Sequence, residues 1–221
     1  MSDSTWSPTP GFETLSFICK MAAGYVLMPD DDEANEIAQA GVRRAIDKLN
    51  TRRWNWALTY QDITFTAGTR EYTLDTSFKA PRRLMILDTS SNESSRLSYL
   101  PWTTFINDIL PVNSTQGTPS LYSVANANDT GTLTLEVIPS TAWVAAYPTG
   151  RLWYYRRVQY PTQASSVIAA PSEVVPYVQE FSSGFVADRY APEKASPAYV
   201  RAAAHWREIV KDDNDIYPDW E

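Results

Sequence analysis

The hydrophobic periodicity of this chain changes twice along its length, and that change most constrains the fold. Near the N-terminus apolar residues recur every three to four positions, which predicts an amphipathic helix over residues 12–28. Pro29 ends this helix, and the acidic residues 30–32 predict the N-cap of a second helix that runs to about Arg53. The two segments are typical of an antiparallel helical hairpin.

The period falls to two after Trp56. Ile63 and Phe65 alternate with threonines, residues 67–69 read as a turn, and the alternation resumes at Tyr72, so this stretch predicts a β-hairpin. The same alternation predicts further strands at residues 83–87, 95–100, 120–125, 131–138 and 151–158.

Helical spacing returns towards the C-terminus. A third long helix is predicted after Ser172, with Pro176 in its first turn or at a kink, and a fourth from about Ala195 to Lys211. A short helix is predicted near residues 101–110. The layout predicts the α+β class, in which N- and C-terminal helices form an antiparallel bundle that carries an inserted antiparallel β-sandwich or barrel-like domain.

The predicted domains follow these changes of period. The helical bundle is discontinuous and comprises residues 12–60 and 166–213, the β-rich domain comprises residues 61–165, and residues 214–221 form a C-terminal tail. A chain of 221 residues can bury a sizeable core, since folding at this size removes about 70–75% of the unfolded surface from water. Apolar residues make up 43% and charged residues 20%, which is typical of a globular chain, so order is expected through most of the length.

The charge balance excludes some function classes. The formal net charge is -7, which disfavours a protein that grips phosphate backbones, because such grip depends on Lys and Arg releasing counterions. An acidic wall would instead let DNA pass without adhering. No run approaches the ~20 apolar residues that cross a bilayer, so we expect a soluble product without membrane contact.

Residues that could carry chemistry are few. Cys19 and His205 are single members of their types, which excludes a Cys/His zinc site by count, and no Gly-x-Ser-x-Gly motif accompanies His205. Cys19 is expected to be buried and inert. The acidic run at 30–33 is explained by helix capping, with a cation held between chains as the alternative, and residues 212–215 lack the pattern of an EF-hand. We predict no catalytic residue, no cofactor and no metal.

Aromatic residues are abundant, with eight Trp, thirteen Tyr and seven Phe. They supply either a stacking surface for sugars or bases, or stiff apolar area in the interior and between chains. Trp54 and Trp56 are two residues apart at a helix end, so their rings are expected to diverge, one facing the bundle and the other covering the hairpin. We predict that they pack at the helix-to-sheet junction, with a ligand platform as the alternative.

A set of spaced apolar and turn residues runs through the middle of the chain: Trp54, Trp56, Ile63-Thr64-Phe65, Gly68, Tyr72, Leu74, Phe78, Pro119-Ser120-Leu121-Tyr122, Leu133-x-Leu135, Pro139 and Leu152-Trp153-Tyr154-Tyr155. With a helical pair closing the chain, this arrangement resembles the adaptor proteins beneath the portal of tailed bacteriophages, especially the tail tubular protein A type of short-tailed phages. The resemblance spans residues 30–190. It departs at Asp75, where the family often has proline, in the loop 91–95 and after Lys211.

The resemblance implies a non-enzymatic virion protein that forms a head-to-tail ring of twelve copies. Its partners would be the portal protein, the tail nozzle or tail tube protein, and itself. The helices would form the collar under the portal, and double-stranded DNA would pass through the lumen without specific binding. The protein would be made in the host cytoplasm and reside in the neck of the virion.

The acidic tail predicts a contact with the portal or with a neighbouring subunit, through Asp212, Asp213, Tyr217 and Trp220. The arginine pairs at 52–53, 82–83 and 156–157 could form a basic ring or pair with acidic residues of a neighbour. Two other functions stay open at this point. One is a carbohydrate- or receptor-binding tail module that uses the aromatics, and the other is a hydrolase that uses paired carboxylates.

Overall fold

The computed structural model describes residues 14–27, 32–110, 115–127 and 130–216. The α-helices are α1 (Leu15–Tyr25), α2 (Asp32–Leu49), α3 (Trp102–Thr104), α4 (Thr141–Ala146), α5 (Val174–Tyr190) and α6 (Pro192–Ile216). A 3₁₀ turn covers Asn55–Ala57, and a π-helix over Phe105–Ile109 continues α3. The strands are β1 (Leu58–Thr64), β2 (Glu71–Thr73), β3 (Phe78–Leu87), β4 (Glu93–Tyr99), β5 (Gln116–Gly117), β6 (Leu121–Ala127), β7 (Thr130–Leu135), β8 (Ile138–Pro139) and β9 (Thr149–Arg156). The class is α+β, as predicted.

The chain divides into two compact units. The helical unit comprises Met1–Ala57 and Val158–Glu221, and the β unit comprises Leu58–Arg157. The N-terminal and C-terminal helices therefore pack together although about a hundred residues separate them in sequence. The first boundary falls three residues before the end of the predicted bundle segment at residue 60, and the second falls eight residues before its predicted restart at residue 166.

Local sequence explains how the helices of the helical unit begin. Thr14 caps α1, since its Oγ1 accepts a hydrogen bond from the backbone N–H of Phe17 at 3.3 Å. Helix α6 begins at Pro192, three residues before the predicted start, because proline at the first helical position lacks only an N–H that has no partner in the helix. It continues to Ile216, beyond the predicted end at Lys211.

Helix α5 lies at the centre of the helical unit, in contact with α1, α2 and α6. Small residues allow its neighbours to approach closely. A Cβ added to Gly41 of α2 would lie 3.0 Å from the Cα of Ser182, and one added to Gly184 would lie 2.8 Å from the ring of Tyr199 on α6. The predicted stripe of α2 is fully buried except Ile37, which is half-buried: Ala34, Ala38, Val42, Ala45, Ile46 and Leu49.

The β unit is built on one seven-stranded sheet in the order β1-β9-β3-β4-β6-β7-β2. The predicted antiparallel character is only partly correct, because β4 and β6 run parallel. The residues between them, including the predicted short helix, form a crossover that returns the chain to the same end of the sheet. A separate two-stranded sheet pairs β5 with β8, also in parallel.

The predicted hairpin of β1 and β2 is wrong. These strands form the two edges of the sheet, β1 paired with β9 and β2 with β7. The turn between them carries Gly68 at a φ of 83°, and the N–H of Thr69 donates to the carbonyl of Thr66. Positive φ at the third position is the type II geometry, which splays flanking strands instead of matching their twist.

The sheet must curl, because a short connection joins its two edges. Seven steps lead from Thr64 to Glu71 and span at most ~25 Å when fully extended. A flat sheet of seven strands would separate its edge strands by ~29 Å. The sheet is accordingly a half-barrel and not a sandwich, and the rings of Phe65 and Tyr72 meet inside it at 5.5 Å. Its core consists mainly of Ile63, Phe65, Leu84, Ile86, Leu97, Tyr122, Leu133, Leu135, Trp143, Leu152 and Tyr154.

Candidate interaction surfaces

The two tryptophans singled out from the sequence pack on each other within the helical unit. The rings of Trp54 and Trp56 stack with centroids 6.0 Å apart and planes inclined by 24°. The predicted divergence is wrong, because helix α2 ends at Leu49 and Trp56 lies in a separate 3₁₀ turn over Asn55–Ala57. Trp54 is buried, and its indole N–H donates to the carbonyl of Leu49 at 2.7 Å. The ring of Trp206 on α6 meets it edge-on at 5.3 Å.

The C-terminal part of α6 is fastened to the segment that follows α2. The backbone N–H of Trp56 donates to Oδ1 of Asp213 at 3.1 Å, and Asp213 is only 2% exposed. At the next residue, the Oδ1 of Asn214 accepts a hydrogen bond from the Nη2 of Arg52 at 3.1 Å. Arg52 also lies over the ring of Trp54. Two distant parts of the sequence are thus joined by polar contacts around the tryptophans.

The four predicted tail residues differ in what the structure places around them. Asp212 is half-buried on α6, and Asp213 is engaged with the backbone of Trp56. Tyr217 and Trp220 lie outside the described residues. The contact predicted for these residues with a portal or a subunit stays a prediction.

A group of arginine and aromatic side chains occupies the side of the β sheet opposite its core. Alternation along the strands places Ile63, Leu84, Leu97 and Leu152 in the core, so their strand neighbours face the other way. We call this group the arginine–aromatic face, and its members are Tyr60, Asp62, Arg83, Arg96, Arg151 and Trp153.

Cross-strand register assembles one half of the face on β1 and β9. Arg151 pairs with Asp62, and its Nε and Nη2 donate to the two carboxylate oxygens at 2.8 and 2.9 Å. This two-pronged bond is the first cause of the raised pKa of the Arg151 guanidinium. The same guanidinium lies 4.5 Å from the ring centre of Tyr60, which is 38% exposed.

The other half of the face lies on β9, β3 and β4. Arg83 pairs with Trp153 across the strands, and its guanidinium lies 5.3 Å from that ring. Trp153 in turn meets Tyr60 with ring centres 5.2 Å apart. Arg96 of β4 is exposed on the same side, next to Met85 in the register. Among the described residues, no carboxylate forms an ion pair with Arg83 or Arg96.

Sequence reasoning missed this face, since its members come from four strands and only the register brings them together. The arginine pair at 82–83 was a partial signal. A bulge in β3 between Pro81 and Arg83 interrupts the alternation there, and the two guanidiniums have different partners. Arg83 stacks on Trp153, whereas Nη1 of Arg82 donates to the hydroxyl of Tyr155 at 3.2 Å.

A groove of about 410 Å³ lies between α1 and α5 in the helical unit. Its one carboxylate, Glu180, is already paired with Arg201 at 2.9 Å, and that guanidinium lies over the ring of Tyr25. The carboxylate of the groove is therefore already engaged by a cation of the same unit. Its lining residues are Lys20, Met21, Gly24, Tyr25, Gln179, Glu180 and Ser183.

The residues with reactive side chains are not assembled into a reaction centre in the described ranges. Cys19 is buried, and burial raises the pKa of its thiol to about 11, which keeps it protonated. His205 is half-buried, with Nδ1 3.3 Å from Glu208 on the same helix. Over residues 14–27, 32–110, 115–127 and 130–216, no three His, Cys, Asp or Glu side chains form a group suited to a metal ion.

The same ranges contain no helix that is both long enough and apolar enough to cross a lipid bilayer. The notable surface of the β unit is instead rich in tryptophan, tyrosine and arginine, the residues enriched at protein contacts. A surface of this composition is typical of a contact with another protein.

A comparison with protein families identifies the family of this chain. Residues 18–215 match the family model described as SU10 adaptor protein. The match covers most of the chain, and the chain belongs to this family of phage head-to-tail adaptors. No curated protein matches the chain. The family assignment agrees with the resemblance to portal adaptors identified in the sequence.

Proposed function

We propose that this protein is a head-to-tail adaptor that forms a ring between the portal and the tail nozzle or tail tube of a phage virion. The observation that carries this proposal is the family match over residues 18–215, which includes both the helical unit and the β unit. In this role the chain is a structural component and not an enzyme. Twelve copies form the ring, the helical unit makes the collar under the portal, and the β unit faces the tail.

The charge distribution supports a ring through which DNA passes without adhering. The helical unit contains 18 acidic and 11 basic residues, and the β unit contains eight of each. The whole net charge of -7 therefore resides in the helical unit. When this unit is repeated around an axis, its negative net charge repels the phosphates of double-stranded DNA, so few of them bind to it.

The C-terminal residues Asp212, Asp213, Tyr217 and Trp220 contribute to the contact with the portal or with a neighbouring copy. Asp213 serves this contact indirectly, by holding the end of α6 against the backbone of Trp56. Trp54 and Trp56 stiffen the same end of the helical unit, next to the point where the chain enters the β unit.

A carbohydrate-binding tail module is the second candidate, and the exposed ring of Tyr60 beside Trp153 is the observation that favours it. Sugars stack on open aromatic faces. Here, however, the guanidinium of Arg151 lies over Tyr60 and that of Arg83 over Trp153. Both rings are thus partly covered by cations. This leaves less open aromatic surface for a sugar and favours a contact with another protein.

Mass measurement separates the two functions. Purified chain mixed with isolated portal rings is expected to form a single large particle by light scattering, with a mass equal to the portal plus about one adaptor per portal subunit. A glycan array probed with the same preparation is expected to show no binding. Free portal and free chain remaining separate would contradict the adaptor role, and selective glycan binding would favour the alternative.

A further inference from the structure

The arginine–aromatic face has more positive charge than its own neighbours neutralise. Asp62 already takes both hydrogen bonds that Arg151 directs to it, and Glu93 is the other carboxylate that acts on Arg151. Arg83 and Arg96 have no carboxylate partner among the described residues. A ligand for this face should therefore be acidic.

The dimensions of the face suit a short segment better than a folded domain. The face spans four strands, which is ~14 Å across at the usual strand spacing. Along the strands the face consists of two rows of side chains two residues apart, which gives a second dimension of ~7 Å. This area is well below the ~800 Å² per partner of a standard domain interface.

The chain itself contains a segment with the matching chemistry. Residues 215–221, with the sequence DIYPDWE, carry three carboxylates, no basic residue and two large aromatic side chains. The carboxylates of this segment complement Arg83 and Arg96, and the side chains of Tyr217 and Trp220 add large apolar area for contact beside Tyr60 and Trp153. Tyrosine, tryptophan and arginine are also the residues that dominate binding energy at protein contacts.

A closed ring of identical copies requires two different and complementary surfaces on each copy. The acidic segment and the arginine–aromatic face form such a pair, since one belongs to the helical unit and the other to the β unit. We propose that residues 215–221 of one copy bind the arginine–aromatic face of the next copy. This inference rests on the proposed ring, and it identifies which surfaces join two copies.

Photochemical cross-linking in the full-length chain tests the contact. Trp220 is replaced by the photoreactive aromatic residue p-benzoylphenylalanine, and equal amounts of ¹⁴N- and ¹⁵N-labelled chain are mixed, irradiated and digested. The expected cross-links join residue 220 to peptides from β1, β3, β4 or β9, and mixed-isotope pairs show that they connect two copies. Cross-links confined to one copy, to the helical unit or to the portal would overturn the inference.

Charge variants supply the second readout. Arg83→Gln combined with Arg96→Gln should lower the yield of these cross-links by about fivefold or more, because both cations that meet the carboxylates are removed. Arg96→Gln alone changes an exposed side chain and should lower the yield in the same direction. Arg207→Gln, an exposed arginine of α6, is the matched control and should leave the yield unchanged. Equal yields in all variants would refute the contact.

The mass of the portal complex, measured on the same samples, separates this inference from the proposed function. Assembly on the portal without cross-links to the sheet would refute the contact and leave the adaptor role standing. Absence of assembly would refute the adaptor role, while cross-links between free copies at high concentration would still establish the contact.

Discussion

At Gly150 of β9, the missing side chain makes room for an aromatic ring of the β core. An added Cβ would lie 2.4 Å from Cζ of Phe65 and 3.1 Å from Cδ1 of Leu84. Gly24 of α1 is the opposite case, because its added Cβ would meet no atom within 4 Å. The two glycines therefore give opposite predictions for the same substitution.

Gly150→Ala should lower the free energy of unfolding by about 1–3 kcal/mol, because the ring of Phe65 must move in a packed core. Gly24→Ala should leave it unchanged or raise it by up to about 1 kcal/mol, since alanine is the better helix former. Urea unfolding followed by tryptophan fluorescence measures both. Equal stability of the two variants would contradict the packing described for Phe65.

Asp213 gives a second residue-scale prediction. Asp213→Ala removes the acceptor of the backbone N–H of Trp56 and should cost about 1–3 kcal/mol of stability. Asp213→Asn keeps an acceptor oxygen and should cost less. Asp212→Ala, at the half-buried neighbouring position, is the control. Thermal unfolding by circular dichroism compares the three, and an equal loss in Asp212→Ala would argue against a specific role for Asp213.

Among the elements, β1 shows what a strand pattern can and cannot predict. The alternation that ends in Ile63 and Phe65 correctly identifies a strand with one buried side, because both residues are core. It does not identify the partner strand, which is β9, about ninety residues later. Pairing over such a distance depends on how the core of the whole β unit packs. The turn at Gly68 resembles a hairpin turn in sequence, but the strands on its two sides do not pair with each other.

The two surfaces described above likewise depend on contacts that a local sequence pattern does not predict. The helical hairpin, the central β region and the closing helices were predictable, since each has a strong local period. The stacking of Trp54 on Trp56 was not, because it depends on where α2 ends. The arginine–aromatic face was also hidden, since the register alone places Arg83 beside Trp153.

A double-mutant cycle tests the pairing of β1 with β9. Asp62→Asn and Arg151→Gln should show a coupling free energy of about 0.5–1 kcal/mol, the usual range for a partly exposed ion pair of good geometry. Asp62→Asn combined with Arg157→Gln should show no coupling. A zero coupling for the first pair would contradict the register of the two strands.

Across the whole molecule, buried tyrosines lie in both units. Burial raises the pKa of Tyr122 in the β core and of Tyr177 in the helical core above the ordinary tyrosine value. The pKa of Tyr199 is also raised, first by burial and then by its hydrogen bond to Asp188. The folded chain thus retains protons that the unfolded chain releases near pH 10.

Stability should therefore be insensitive to these groups below about pH 10 and should fall as the pH rises further, because the unfolded state then loses protons that the native state holds. A titration of tyrosinate absorbance at 295 nm, with circular dichroism in parallel, measures the effect. Part of the absorbance change should coincide with loss of helix signal. Complete titration of all tyrosines in a fully folded protein would contradict the burial of Tyr122 and Tyr177.

The two units also divide the charge of the molecule, with an acidic helical unit and a neutral β unit that displays arginines on one face. This division suits the proposed ring, in which each copy would meet identical neighbours through unlike surfaces around a DNA channel.

Electron-microscope imaging of the chain assembled on isolated portal rings tests the adaptor role most directly. We expect side views to show an added layer of density on one end of the portal, and end views to show a closed ring with an open channel wide enough for double-stranded DNA. Portal particles that look the same with and without the chain, or a layer without a central channel, would contradict the account.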